Sequence, residues 1–214
     1  MKKIVAIDFD GTLADSFGLI NKAIIETCSK FNKKISVDEL NQYWGPNEEG
    51  IFINLLGEKN GREGFETYLE FYEKYHDEYL SESAGIRKVL NELKSRGITV
   101  AFLTGRSFES AQISLDHLGL RKYFDKYYYG TTSGVCKVEN FGKLCEDYSI
   151  SPDELLYIGD SVADVKSCKK AGVDLLSVSF NKKTTYARLE AKNPGRVCET
   201  VDDLYAKLFN MFEY

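Results

Sequence analysis

Two textures of apolar and polar residues divide this chain. Ile4-Val5-Ala6-Ile7 is an unbroken apolar run that reads as a short buried strand. After Leu13 the period becomes helical: Phe17, Ile20, Ala23, Ile24, Thr27, Cys28 and Phe31 recur three and four apart, with Asp15 or Ser16 as the cap. Ser36-Val37-Asp38-Glu39 is a capping box leading into Leu40, Tyr43 and Trp44. Gly45-Pro46 breaks that helix, and Ile51, Phe52 and Leu55 begin another that ends near Gly57. Arg62 to Leu80 is predicted as a long helix with Phe65, Tyr68, Leu69, Tyr72, Tyr75 and Tyr79 on one stripe. That stripe reads as packing between helices rather than as a ligand box, and His76, set among charges, as solvated surface. No strand pattern occurs between residues 15 and 82.

From Ala84 onward helix and strand alternate. Helices are expected over Ile86–Arg96, Phe108–Leu118, Lys137–Tyr148, Val162–Ala171 and Val201–Phe212. Strands are expected over Ile98–Leu103, Lys126–Tyr129, Leu155–Ile158 and Val173–Val178, with Val197-Cys198 as an edge. The pattern describes an α/β core, residues 1–14 and 83–214, interrupted by an all-helical insertion, residues 15–82.

Charge supports that division. The insertion carries 14 acids and 7 bases, against 19 acids and 21 bases in the remainder. A net charge of −5 offers no electrostatic attraction to nucleic acid. Five scattered cysteines without a Cys-x-x-Cys pair argue for a reducing compartment and against a disulfide framework or a zinc site. The first apolar run is too short for a signal peptide, and no apolar stretch approaches membrane length. The expected location is the cytoplasm; the oligomeric state is not legible.

The candidate chemistry sits where strands end. Asp8 and Asp10 follow the first strand two residues apart, so on extended backbone both point to one pocket. Acids at the end of a buried strand need a cation or a substrate to pair with. Thr104-Gly105 ends a second strand, where a hydroxyl and the free N–H groups of the next turn can bind a phosphate; alone, Thr104 would read as a helix cap. Arg106 lies two residues on and points either at the site or to solvent. Gly159-Asp160 ends a third strand, and Asp164 lies four residues further, one turn into a helix. Hard oxygen donors with few imidazoles or thiols nearby suit Mg²⁺ rather than zinc.

The string Asp8-Phe9-Asp10-Gly11-Thr12-Leu13 resembles the first motif of the haloacid dehalogenase-like phosphohydrolases. Thr104 matches the second motif, and Gly159-Asp160-Ser161 with Asp164 resembles the fourth. The superfamily also places a lysine near the start of the helix before the fourth-motif strand. Lys137 opens that helix and fits better than Lys143, although Val138 stands where the family often has proline. The resemblance implies a doubly wound, Rossmann-like parallel sheet with a helical cap of type 1, as in the phosphoglycolate phosphatase-like and β-phosphoglucomutase-like group.

It further implies a Mg²⁺-dependent phosphatase acting on a small phosphorylated metabolite. Asp8 would be the nucleophile, forming an aspartyl-phosphate, and Asp10 the general acid and base. Asp8, the Asp10 carbonyl, Asp160 and Asp164 would hold the metal; Thr104, Gly105 and Lys137 would hold the phosphate. Dehalogenating members lack an acid at the position of Asp10, so its presence favours phosphate chemistry. A β-phosphoglucomutase-like mutase shares every one of these residues. A non-catalytic phosphate-binding protein would typically have lost one of the acids. Specificity is expected in residues facing Asp8, near Trp44-Gly45-Pro46-Asn47 or a loop from Gly57 to Gly64. Gly45-Pro46 is similar to phosphoglycolate phosphatase-like caps.

Overall fold

The computed structural model describes residues 2–180 and 185–212; the parts of the expected core numbered 1, 181–184 and 213–214 lie outside them. In chain order, β1 (Ile4–Ile7) and β2 (Ala14–Asp15) lead into α1 (Phe17–Lys30), α2 (Val37–Leu40), α3 (Glu48–Leu56) and α4 (Glu58–Tyr79). Then follow β3 (Ser81–Glu82), α5 (Ile86–Ser95), β4 (Thr99–Leu103), α6 (Phe108–His117), β5 (Lys126–Tyr128) and α7 (Lys137–Tyr148). The chain continues through β6 (Leu155–Gly159), α8 (Val162–Ala171), β7 (Asp174–Val178), α9 (Tyr186–Glu190), β8 (Val197–Cys198) and α10 (Val201–Asn210).

Six strands form one sheet in the order β5-β4-β1-β6-β7-β8, every pair parallel. Both faces are covered, and successive residues serve opposite sides. Val5, Ile7, Val100, Phe102, Leu156 and Ile158 enter the larger core, while Ile4, Ala6, Ala101, Leu103, Leu155 and Tyr157 enter the smaller one. This is a doubly wound α/β fold. The winding reverses at β1, and in such sheets the crevice beyond the strand ends at the reversal is the ligand site.

The register is anchored at the opposite end. Glu154 accepts from the Ser151 N–H at 3.0 Å and pairs with Lys3, while the Lys3 N–H bonds the Glu154 carbonyl at 2.8 Å. Lys3, then Ser151, hold the Glu154 carboxyl down to about 2. A depressed carboxylate stabilises the fold above its unfolded value of 4.5, and that contribution is lost as pH falls toward 2. Glu154→Gln is therefore expected to lower the urea midpoint at pH 7, with the difference from the parent chain shrinking between pH 4.5 and 2. A difference unchanged across that interval would contradict the assignment.

Several expectations need correction. The stretch from residue 15 to 82 is not wholly helical: Ala14 and Asp15 pair antiparallel with Glu82 and Ser81 as a two-stranded ribbon, too short to show alternation in sequence. Gly57 to Gly64 is not a loop, since α4 begins at Glu58. Gly61 and Gly64 let α4 lie against α3; a Cβ at Gly61 would meet the Ile53 Cα at 2.7 Å, and one at Gly64 the Leu56 side chain at 2.5 Å. His76 is not surface but 2% exposed. The buried stripe of α4 runs Phe65, Tyr68, Tyr72, His76, leaving Tyr79 exposed, because these positions face α3, α1 and α6. The helix α9 follows a stretch with no predicted element. All five cysteines are free and buried. Among the described residues no helix is long and apolar enough to cross a membrane.

Candidate active site

Register pairs Ile7 with Phe102 on one side and Ile158 on the other, so the chains that follow β1, β4 and β6 leave the sheet at one edge. Asp8, Thr104 and Asp160 are the first polar residues there, and all three are buried. Asp8 accepts from the Phe9 N–H at 2.8 Å and from the Lys137 ammonium at 2.7 Å. Lys137, at the first position of α7, also pairs with Asp164 and donates to the Tyr157 hydroxyl at 2.8 Å. Tyr157 in turn donates to the Leu103 carbonyl at 3.2 Å. Lys143, further along α7, is exposed and takes no part.

Asp164 is held by a capping box. Its carboxylate accepts from the Ser161 N–H at 2.9 Å and the Ser161 hydroxyl at 2.6 Å, and its own N–H donates to the Ser161 hydroxyl at 3.0 Å. Oxygens of Asp8, Asp160 and Asp164 lie within 4.8 Å of one another. Two like charges at about 4 Å repel by about 4 kcal/mol at the effective dielectric of a protein surface. Burial, then Asp164 and Asp10, push the Asp8 carboxyl up to about 7 against the opposing effect of Lys137. Burial disfavours the Lys137 charge, yet Asp164 and Asp8 hold it well above the usual lysine range. One ammonium against three converging carboxylates leaves negative charge uncompensated, and all the donors are hard oxygens. The cluster fits a divalent cation of the Mg²⁺ kind.

Asp10 faces a different set of partners. Its carboxylate accepts from the Ser16 hydroxyl; Ser16 stands at the cap position of α1 but, with ψ −5° rather than the extended backbone of a cap, makes no capping bond. Arg106 Nε lies 3.0 Å from both Asp10 oxygens. The guanidinium is 3% exposed and lies between the Phe9 and Tyr72 rings, 4.9 Å from each centroid. Its Nη1 donates to the Tyr72 hydroxyl, which lies 2.7 Å from the Ser114 hydroxyl. Arg106 thus points inward. Thr104 is fully buried, and its hydroxyl accepts from the Arg106 N–H at 3.3 Å.

The helical segment closes over this edge. Glu48, at the start of α3, accepts from the Ser107 N–H at 2.7 Å and the Ser110 hydroxyl at 2.6 Å, both at the start of α6. Beneath it lies a cavity of about 230 Å³ whose floor is Asp8, Asp10, Gly105, Arg106, Lys137 and Asp160. Its roof is largely apolar and includes Phe17, Ile20, Trp44, Pro46 and Ile51, with Asn47. The Trp44–Asn47 stretch therefore faces Asp8, as expected. Glu48, Ser16 and Tyr157 escaped the sequence reading. Glu48 looks like any acid in a first helical turn, and Tyr157 like any apolar strand residue.

Fold and site together define a doubly wound α/β protein whose ligand chamber has an acidic, lysine-bearing floor at the reversal of the sheet. The sequence profile of the haloacid dehalogenase-like hydrolases matches residues 5–178. The chain is 30% identical over 183 residues to a PpaX protein of Clostridium perfringens, covering 84% of this chain and 85% of that one. It is 27% identical over 212 residues to the pyrophosphatase PpaX of Bacillus cereus, covering 97% and 96%. Among solved structures, a predicted phosphatase from Clostridium acetobutylicum superposes with a TM-score of 0.79 at 23% identity, over 98% of this chain and 99% of that one. CbbY from Rhodobacter sphaeroides, in complex with phosphate, gives 0.78 at 17% identity over 95% and 96%. The chain belongs to the haloacid dehalogenase-like hydrolase family.

Proposed function

We propose that the protein is a Mg²⁺-dependent phosphatase that hydrolyses a small phosphorylated metabolite through an aspartyl-phosphate on Asp8. The observation that carries this reading is the convergence of Asp8, Asp160, Asp164 and Lys137 at the floor of a chamber, with Asp10 beside them. Residues 15–82 act as the cap and residues 1–14 with 83–214 as the catalytic core.

One Asp8 oxygen attacks phosphorus, and the bond to the leaving oxygen breaks. Asp10 gives that oxygen a proton, then takes one from the water that cleaves the aspartyl-phosphate. Two modest barriers replace one high one. Lys137, the Gly105 N–H and the Thr104 hydroxyl hold the phosphate oxygens while charge shifts among them. Asp8, Asp160, Asp164 and the Asp10 main-chain carbonyl would hold Mg²⁺, which when bound supplies the positive charge that lets an anion approach a dianion. The apolar roof keeps bulk water from the aspartyl-phosphate. A roof of this size suits a small leaving group, and nucleic acid is not a substrate.

The test is phosphate release from p-nitrophenyl phosphate and a panel of small esters, with Mg²⁺ and with EDTA. Pyrophosphate belongs in the panel because relatives carry the pyrophosphatase name. Release is expected with Mg²⁺, lost in EDTA and restored by excess metal. Full activity in chelator would remove the metal assignment. Conversion of β-glucose-1-phosphate with glucose-1,6-bisphosphate present, and no release from any ester, would make the protein a mutase.

A further inference from the structure

The chain has only two histidines, and the fold brings them together where α4 meets α6. His76 on α4 and His117 at the end of α6 stack with ring centroids 4.1 Å apart, 35° from parallel. One Asp77 oxygen lies 3.2 Å from His76 Nδ1 and 3.0 Å from His117 Nδ1. Glu73, one turn back on α4, lies 2.7 Å from His117 Nε2.

A neutral imidazole has one N–H and one lone pair. If Glu73 takes the His117 Nε2–H, the Nδ1 lone pair of that ring faces the Asp77 carboxylate, an opposition that a cation between them removes. A neutral His76 imidazole likewise has one lone pair to offer. Its Nε2 is buried without a hydrogen-bond partner among the described residues. Glu73 and Asp77 set two carboxylates against the His117 ring, a negative field that attracts a divalent ion.

We propose that His76 Nδ1, the Asp77 carboxylate and His117 Nδ1 form a second metal site, for a borderline transition ion such as Zn²⁺, with Glu73 orienting His117 from behind. Three donors held within 4.8 Å of one another match the scale of a zinc shell. With bonds of about 2.0–2.1 Å, tetrahedral donors sit about 3.3 Å apart, close to the two distances from Asp77. Two nitrogens and one oxygen favour such ions over Mg²⁺, the reverse of the all-oxygen cluster around Asp8. The outer carboxylate on the distal ring nitrogen is the partner that metal-bound histidines commonly have. Asp77 is 87% exposed, giving an ion a way in from solvent. The site spans α4 and α6, one turn from the Tyr72–Ser114 contact that joins the same helices. An ion there would fasten the helical segment to the sheet domain.

The test is a Zn²⁺ titration of the full chain in saturating Mg²⁺, followed by long-range ¹H–¹⁵N correlation of the two imidazoles. One equivalent is expected to shift Nδ1 of both rings saturably. Asp77→Asn, at an exposed position, is expected to abolish that shift. Glu73→Gln should weaken binding about 10- to 100-fold, as loss of an outer partner does. The proposal is overturned if the imidazoles do not respond to Zn²⁺ or if their response is the same in Asp77→Asn. Because both readouts concern only these rings, the outcome is independent of the phosphatase reading.

Discussion

Asp8→Asn will reduce turnover by roughly three orders of magnitude or more, the scale on which loss of a covalent nucleophile acts. The amide keeps the shape of the carboxylate and can still accept from the Phe9 N–H, so the fold will persist. What disappears is an anionic oxygen able to form the bond to phosphorus. Stability is expected to hold or rise, because Asp8 sits under repulsion from Asp164 and Asp10 and its charge is disfavoured by burial. Steady-state phosphate release together with urea unfolding reads both quantities. Turnover near that of the parent chain would remove Asp8 as nucleophile, whatever happened to stability.

Arg106→Met is expected to cost about 3–5 kcal/mol of stability, the range for removing one partner of a buried ion pair. The guanidinium spans groups that no hydrocarbon can serve: both Asp10 oxygens and the Tyr72 hydroxyl. Methionine would still fill the space between Phe9 and Tyr72, so the loss reports on charge and hydrogen bonding more than on packing. Arg106→Lys should recover only part of it, since an ammonium lacks the planar fork that reaches Asp10 and Tyr72 together. Urea unfolding of the three chains decides the matter. A loss below about 1 kcal/mol, typical of an exposed pair, would mean that Arg106 does not organise the site.

How far the sequence could be read depended on the distance between cause and effect along the chain. Each strand-end acid follows an apolar run directly, so Asp8, Asp160 and the strands before them were visible together. Lys137 was legible as the opening residue of a helix, and α7 and α8 begin and end where their patterns do. Arg106 was not, because its partner Asp10 lies 96 residues away and nothing local says which way a residue after Thr104-Gly105 turns. Glu48 meets Ser107 across 59 residues and was invisible for the same reason. His76 was misread because its charged sequence neighbours occupy other faces of α4, while the ring itself packs beside Tyr72 and His117. The ribbon β2–β3 has two residues a side, below the length at which alternation means anything.

That ribbon bears on how such a chain could have been assembled and can be re-engineered. Ala14 pairs with Glu82 and Asp15 with Ser81, and the Ser83 N–H bonds the Leu13 carbonyl at 2.9 Å. The polypeptide therefore departs from the sheet domain and returns to it at a single point. A guest module whose two ends lie side by side can be exchanged for another without re-threading the host. The paired stems at residues 13–15 and 81–83 would be kept, and the new module would have to replace the partners that Ser16, Tyr72 and Glu48 give to Asp10, Arg106 and Ser107. A hairpin turn, or a helical module of different size, could be grafted onto those stems while Asp8, Lys137 and Asp160 kept their places at the strand ends. On the proposed function, what the chamber admits could then vary while the strand-end residues keep their places.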